Sequence, residues 1–179
     1  MNPHPQAAKR VEHVFDLFDT DGNGFIEAAD IALMTNRVVA AATGSDQAAK
    51  DAMRAAFDRY WITMADALDA NHDGRISAEE FQAFVLSPER FGAAVEQFAE
   101  ALSALGDPDG DGLIDRPVFE ALMTAIGFGR ENLNALFDSF GPTAQDQIEA
   151  EVWRVAIVEF YDPGDGDTRG NHLIPAQQR

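Results

Sequence analysis

Three short acidic segments carry the side chains whose types and spacing indicate chemistry. Each segment places an oxygen-bearing side chain at every second position, then a glycine, and then an isoleucine two residues further on. The segments occupy residues 19–26, 69–76 and 107–114. A twelve-residue loop with oxygens at positions 1, 3, 5, 7, 9 and 12 can surround a calcium ion with about seven oxygens at about 2.3 to 2.6 Å. The spacing therefore predicts three calcium-binding loops.

In such a loop, side chains supply the ligands at positions 1, 3, 5, 9 and 12, and a backbone carbonyl supplies the ligand at position 7. The first loop, residues 19–30, offers Asp19, Asp21, Asn23, the carbonyl of Phe25, Glu27 and Asp30. The second loop, residues 69–80, offers Asp69, Asn71, Asp73, the carbonyl of Arg75, Ser77 (directly or through water) and Glu80. The third loop, residues 107–118, offers Asp107, Asp109, Asp111, the carbonyl of Leu113 and Asp115.

The residue at position 12 distinguishes the loops, because a glutamate there normally clamps the ion with both carboxylate oxygens. The second loop has Glu80 and is predicted to be the best calcium site. The first loop has Asp30, which is one methylene shorter, so we expect a six-coordinate site that also tolerates Mg²⁺. The third loop has Val118 and lacks the clamp. We expect weak binding there, driven by aspartates that repel one another without a cation.

Apolar residues with helical spacing precede and follow each loop, which predicts helix-loop-helix units. A fourth unit is expected, since such units usually occur in pairs. Aligning Ile148 with the isoleucines of the other loops starts the fourth loop at Gly141. The ligand positions then fall on Gly141, Thr143 and Gln145, which offer no carboxylate. This unit is predicted to be structural.

The three loops, with their glycine, isoleucine and flanking amphipathic helices, resemble the EF-hand superfamily across about residues 9–161. The layout of four units is similar to that of the calerythrin and sarcoplasmic calcium-binding protein group. The resemblance implies an all-α fold in which four EF-hands form two pairs packed into one compact molecule. These pairs are residues 1–86 and residues 87–161, with the fourth hand degenerate.

The resemblance also implies how the paired loops meet. Short β-bridges are expected at Ile26 with Ile76 and at Ile114 with Ile148. An aspartate at position 12 of the first loop is familiar in this group, whereas Val118 at that position of the third loop departs from the usual pattern.

The last segment, residues 162–179, changes to a composition rich in Asp, Gly and Pro. That composition predicts a flexible tail. The tail contains one apolar pair, Leu173 and Ile174. This pair can act as a plug for a groove in the free protein, although an ordinary surface contact is the simpler interpretation.

Charge and cysteine content exclude several classes of partner. Thirteen Lys plus Arg against 31 Asp plus Glu give a formal net charge of −18, so we expect neither nucleic acid nor a membrane as a partner. The absence of cysteine excludes disulfides, iron–sulfur clusters and thiolate metal sites. The first ten residues carry no apolar run. We therefore expect a cytoplasmic monomer whose partners are calcium ions, and the preference for Arg over Lys is typical of GC-rich bacterial genomes.

Three classes of function compete. No enzyme is expected, because the four His show no metal-ligand spacing and no nucleophile or phosphate-binding motif is present. The methionines are scattered among Phe, Leu and Trp, and only residues 87–90 separate the two predicted pairs. Both features favour a calcium buffer or calcium-modulated signalling protein with a filled core. The alternative is a calcium sensor that opens a hydrophobic groove for an unidentified target protein.

Four aromatic residues leave one further question open. The superfamily that the chain resembles includes luciferin-binding photoproteins, so Tyr60, Trp61, Trp153 and Tyr161 can be interpreted as the lining of an apolar cavity. Packing in the core is the favoured interpretation of these rings.

Overall fold

The computed structural model describes residues 3–69, 72–164 and 166–175. In these residues the order helix, short strand, helix occurs four times. The four units are α1 (Pro5–Phe18), β1 (Phe25–Ile26) and α2 (Ala28–Ala41); α3 (Gln47–Leu68), β2 (Ile76–Ser77) and α4 (Ala78–Val85); α5 (Pro88–Leu105), β3 (Leu113–Asp115) and α6 (Arg116–Ile126); and α7 (Arg130–Ser139), β4 (Gln147–Glu149) and α8 (Ala150–Phe160). A 3-10 helix (Arg169–Leu173) follows. None of the helices in the described residues is long and apolar enough to cross a membrane.

The strands form two separate antiparallel ladders. Strand β1 pairs with β2 so that Ile26 faces Ile76, and β3 pairs with β4 so that Ile114 faces Ile148. All four isoleucines are buried. Each ladder thus ties two loops together above the core, and both predicted bridges are confirmed.

The leaving helices begin where the loops end. In each unit the residue at position 9 is the N-cap, which makes the residue at position 12 the third residue of the helix. This is the spacing of a capping box, in which the side chain at the third position accepts a hydrogen bond from the amide of the N-cap. Asp30 accepts such a bond from Glu27 N at 2.9 Å, and Glu80 accepts one from Ser77 N at 2.9 Å. The start of the helix therefore keeps the carboxylate at position 12 beside its loop.

The two pairs of units share one hydrophobic core. Helix α3 packs along α5, α5 packs along α8, and α2 packs against α6. The rings of Phe57 and Phe98 meet edge to face with centroids 5.1 Å apart, and those of Tyr60 and Phe91 do so at 4.7 Å. Edge-to-face pairs stabilise a core beyond the area that they bury. The predicted all-α fold of two pairs in one compact molecule is confirmed.

The sequence left two interpretations of four aromatic residues, as the lining of a cavity or as part of the core. In the structure these residues belong to the core. Tyr60 and Trp153 are buried, and Trp61 and Tyr161 pack partly buried against the core. A cavity of about 60 Å³ adjoins Trp153 and Tyr161. An engineered cavity that binds benzene measures about 150 Å³, so the cavity beside Trp153 is smaller than one that holds benzene.

The tail folds onto the body of the protein over residues 166–175. Leu173 is buried between α1, α7 and α8. The fully buried guanidinium of Arg10 donates to the carbonyls of Phe160 and Asp162 at 2.8 and 3.1 Å, and to Asn171 Oδ1 at 2.9 Å. A buried cation needs such acceptors, and Leu173 removes apolar surface from water. Composition alone, which predicts a flexible tail, contains neither of these long-range interactions.

Candidate metal centres

The three acidic loops share one pattern of hydrogen bonds. In each loop the carboxylate at position 1 accepts hydrogen bonds from the amides at positions 5 and 6, over 2.8 to 3.1 Å. The side chain at position 5 accepts one from the amide at position 7, over 2.8 to 2.9 Å. Short Asp and Asn side chains suit these bonds to their own backbone. The pattern curls each loop around the point where its carboxylates converge.

The curl requires left-handed backbone at two positions. The glycines at position 6 have φ between +75° and +86°, a range that glycine adopts readily because it has no Cβ. Position 4 is also left-handed, with φ of +71° at Gly22 and at Gly110. The second loop has His72 there, at φ +54°. Sequence reasoning missed this requirement, although glycine at position 4 of two loops signals it.

The first loop brings three of its predicted ligands together. Asp19, Asp21 and Asp30 each place one carboxylate oxygen within 4.8 Å of the others. Two oxygens that bind the same calcium ion at about 2.3 to 2.6 Å lie no more than about 4.6 to 5.2 Å apart. The separation in the first loop therefore fits calcium.

Asp30 reaches this cluster because its side chain is held from both ends of the loop. Its Oδ1 accepts from Thr20 N at 3.1 Å and from Thr20 Oγ1 at 2.5 Å, while Oδ2 accepts from Glu27 N. Only 4% of Asp30 is exposed. Thr20 occupies position 2, which carries no ligand, and for that reason sequence reasoning missed its contribution.

The second loop holds its acidic side chains differently. Glu80 Oε2 accepts hydrogen bonds from Ser77 N at 2.9 Å and from Ser77 Oγ at 2.8 Å. In the described residues, no cluster of three carboxylates includes Asp69, Asp73 or Glu80. Asn71, the predicted ligand at position 3, lies outside the described residues. The ligand set of this loop stays a prediction.

The third loop gathers its first three aspartates. Asp107, Asp109 and Asp111 place carboxylate oxygens within 4.8 Å of one another. Asp115, the predicted ligand at position 9, instead accepts a hydrogen bond from Gln147 Nε2 at 2.8 Å. Val118 packs half-buried against the core. The cluster therefore has no carboxylate that belongs to the leaving helix α6.

Comparison with known proteins shows what these loops are similar to. Residues 8–86 match the family model described as an EF-hand domain pair. This match covers the first two loops and the helices beside them. It is similar to calerythrin from Saccharopolyspora erythraea, with 23% identity over 163 residues that cover 87% of this chain and 92% of calerythrin.

Two solved structures show the same fold. A Streptomyces coelicolor calcium-binding protein is 22% identical, with a TM-score of 0.68, and the match covers 89% of this chain and 99% of that protein. A sarcoplasmic calcium-binding protein from amphioxus is 19% identical, with a TM-score of 0.68, over 98% and 100% of the two chains. The predicted resemblance to the calerythrin and sarcoplasmic calcium-binding protein group is confirmed. The EF-hand family supports calcium binding by the chain.

Side chains link the two hands of each pair directly across the ladders. In the N-terminal pair, Arg75 Nε of hand 2 donates to Glu27 Oε1 of hand 1 at 3.1 Å. In the C-terminal pair, Gln147 of hand 4 donates to Asp115 of hand 3. Each link joins position 7 of one loop to position 9 of its partner. Both linked acceptors are predicted calcium ligands, so the partner hand influences where each of them points.

Hand 4 closes its loop with neutral groups. Thr143 N donates to the Gln147 carbonyl at 2.8 Å, and the amides of Gln145 and Gln147 both approach Thr143 Oγ1 at 3.3 Å. The Thr143 hydroxyl stands at position 3, where the other loops have a predicted ligand, and here it accepts hydrogen bonds from amides of its own loop. That hand 4 is structural stays a prediction.

Proposed function

We propose that the protein is a cytoplasmic calcium buffer or calcium-modulated signalling protein that binds Ca²⁺ through hands 1 and 2 and more weakly through hand 3. The observation that carries the proposal is the convergence of Asp19, Asp21 and Asp30 within 4.8 Å in a loop that shares its hydrogen-bond pattern with loops 2 and 3. Hard cations with oxygen ligands fit such a cluster. Hand 1 also accepts Mg²⁺ in this proposal, because Asp30 offers a shorter clamp than glutamate.

The buffer form is supported by where the methionines lie. A sensor hand opens to expose an adaptable, often Met-rich groove. Met34, Met53, Met64 and Met123 are instead buried, on α2, α3 and α6. The two pairs also share one core, so opening either pair exposes aromatic rings to water. That exposure opposes opening, because each large apolar side chain stabilises the fold by about 1.5 to 3 kcal/mol when buried.

The titration of calcium ions tests the ligand assignment. Glu80→Gln removes the charge and one clamping oxygen from hand 2, so isothermal titration is expected to lose its tightest phase. Asp30→Ala is expected to remove a second, weaker phase, and that phase in the native protein is expected to weaken in excess magnesium. Glu79→Gln is the matched control, because Glu79 is exposed at position 11 and no ligand role falls on it. An unchanged titration of Glu80→Gln contradicts the assignment of hand 2.

A second candidate function, a calcium sensor with a specific protein target, is favoured by the docked tail. Leu173 is 4% exposed, and Asn132 Nδ2 lies 3.4 Å from its carbonyl. In this candidate the tail covers the apolar groove between α1, α7 and α8 until a target helix replaces it. The similar calcium-binding protein of Streptomyces coelicolor acts in prokaryotic calcium-mediated regulation, which is the same class of function.

A hydrophobic dye distinguishes the two candidates. Leu173→Ala weakens the docking of the tail, whereas Ile174→Ala changes a neighbouring side chain of the same class. The buffer predicts no calcium-dependent dye fluorescence in the native protein or in either variant. Dye binding that appears only with calcium, and that is stronger in Leu173→Ala than in Ile174→Ala, contradicts the pure buffer and supports the sensor.

A further inference from the structure

Arg116 is the first residue of α6, in hand 3, but its guanidinium lies on hand 4. Its Nε and Nη2 donate to the two carboxylate oxygens of Asp146 at 2.7 and 2.9 Å, and Nη2 also donates to Asp138 Oδ1 at 2.6 Å. Its Nη1 donates to Asn134 Oδ1 at 3.2 Å. The guanidinium carbon lies 4.2 Å from the centre of the Phe137 ring. One cation thus joins loop 4 and helix α7 to the start of α6.

This group differs from an ordinary surface ion pair. Only 19% of the Arg116 side chain is exposed, although the carboxylates of Asp138 and Asp146 are 64% and 54% exposed. A two-pronged arginine–carboxylate contact is directional as well as electrostatic. The hydrogen bonds to Asp146 and Asp138 raise the pKa of the Arg116 guanidinium, and Arg116 lowers the pKa of the Asp146 carboxyl.

Asp146 stands in a conformation that disfavours it. It occupies position 6 of loop 4, with φ +62°, where the other three loops have glycine. Left-handed backbone is unfavourable for residues with a Cβ, with Asp among the more tolerant types. Glycine has no side chain to offer, so the carboxylate that meets Arg116 requires a residue other than glycine there.

The N-terminal pair has different residues at the equivalent positions. The register of β3 with β4 continues so that Arg116 faces Asp146, and Arg116 N donates to the Asp146 carbonyl at 3.3 Å. The register of β1 with β2 places Ala28 opposite Gly74 in the same way. Ala28 and Gly74 carry no charge. A charged pair at these positions therefore occurs in the C-terminal pair and not in the N-terminal pair. The C-terminal pair contains loop 4, which lacks carboxylates at positions 1, 3 and 5.

We propose that the Arg116 guanidinium is the built-in cation of hand 4, and that it keeps the two loops of the C-terminal pair bridged when no metal ion is bound. It ties loop 4 to α7 and to hand 3 from outside the loop, so hand 4 needs no calcium to hold its shape. The N-terminal pair has Ala28 and Gly74 instead, and the ion pair that bridges its loops, Arg75 with Glu27, uses a predicted calcium ligand. The N-terminal pair therefore depends on bound ions for the same rigidity. The proposal is independent of whether hand 3 binds calcium, because it concerns the calcium-free protein.

Hydrogen exchange of backbone amides in the presence of a calcium chelator tests the proposal. In the native protein the amides of Ile114 and Ile148 are expected to stay protected, while those of Ile26 and Ile76 exchange faster than in the calcium-loaded protein. Arg116→Gln is expected to speed exchange at Ile114 and Ile148 by about tenfold or more, because local opening controls the rate. Arg154→Gln is the matched control, since it removes the same charge from α8, where Arg154 pairs with Glu96 and Glu151.

Two further variants separate the cation from a general loss of stability. Asp146→Gly removes the ion pair but also relieves the left-handed conformation, so it is expected to reproduce the faster exchange without unfolding the core amides of α3. Arg116→Lys keeps the positive charge but loses the pair of hydrogen bonds from the guanidinium to Asp146. It is therefore expected to protect the amides of Ile114 and Ile148 better than Arg116→Gln but less well than the native protein. Two results overturn the proposal. One is that exchange at Ile114 and Ile148 is the same in Arg116→Gln and in Asp146→Gly as in the native protein. The other is that the native protein loses its protection at these amides when calcium is chelated.

Discussion

Hands 1 and 3 each gather three carboxylates, but they recruit them from different parts of the hand. In hand 1 the cluster includes Asp30, which belongs to the leaving helix α2. In hand 3 all three members come from positions 1, 3 and 5 of the loop, and position 12 is Val118, which packs against the core. An ion bound by the cluster of hand 1 would therefore contact the leaving helix through a side chain, whereas an ion bound by the cluster of hand 3 would contact only the loop.

This difference separates two properties of an EF-hand that are often discussed together. The loop curls in the same way in both hands, because the hydrogen bonds that the amides at positions 5 and 6 donate to Asp19 and Asp107 do not involve position 12. Position 12 instead determines whether binding at the loop is coupled to the helix that follows. The hydrogen-bonded loop can thus form without the clamp, which explains how hand 3 keeps its cluster despite Val118.

Completing hand 3 is the strongest test of this comparison. Val118→Glu places a carboxylate on the third residue of α6, where Glu80 stands in hand 2. Because affinity rises with the number and charge of the ligands, calcium binding at hand 3 is expected to tighten by about tenfold or more. Isothermal titration should then show an additional phase, or a larger stoichiometry, relative to the native protein.

The matched control is Val118→Gln, which has nearly the same size as the glutamate variant and removes the same apolar contact. It is expected to lower the thermal stability of the calcium-free protein slightly, as Val118→Glu does, and to leave the calcium titration unchanged. If Val118→Glu binds calcium no better than Val118→Gln, the loop of hand 3 is not shaped to receive a clamp, and its likeness to hand 1 is superficial.

The spacing of residues in the sequence predicted the loops well, because the features that form them are local. Every hydrogen bond that curls loop 1 around Asp19 joins residues no more than five positions apart. The registers of both ladders followed from the resemblance to the EF-hand superfamily, which implies that the isoleucines of paired loops meet. Those registers have further consequences for the side chains, since they bring Glu27 near Arg75 and place Arg116 opposite Asp146.

The interactions that sequence reasoning missed are those between distant parts of the chain. Arg10 lies 150 residues from Phe160, whose carbonyl it reaches. No spacing rule connects the two, and the composition of residues 162–179 predicts a flexible segment rather than one that buries Leu173. Thr20 was missed for a different reason. Thr20 donates hydrogen bonds to Asp30 from its amide and its hydroxyl. These bonds matter because the side chain of Asp30 is short.

The smallest expected effect concerns the left-handed residue at position 4, where hands 1 and 3 have Gly22 and Gly110 and hand 2 has His72. A residue with a Cβ costs about 1 to 2 kcal/mol in this conformation, while the extra freedom of glycine in the unfolded chain offsets about 0.4 to 1 kcal/mol of that gain. His72→Gly is therefore expected to raise the free energy of unfolding by at most about 1.6 kcal/mol, measured by thermal unfolding in excess calcium. Gly110→His makes the reciprocal change in hand 3 and is expected to lower it. If both substitutions shift stability in the same direction, backbone conformation at position 4 is not what distinguishes hand 2, and the histidine side chain stabilises its loop by other contacts.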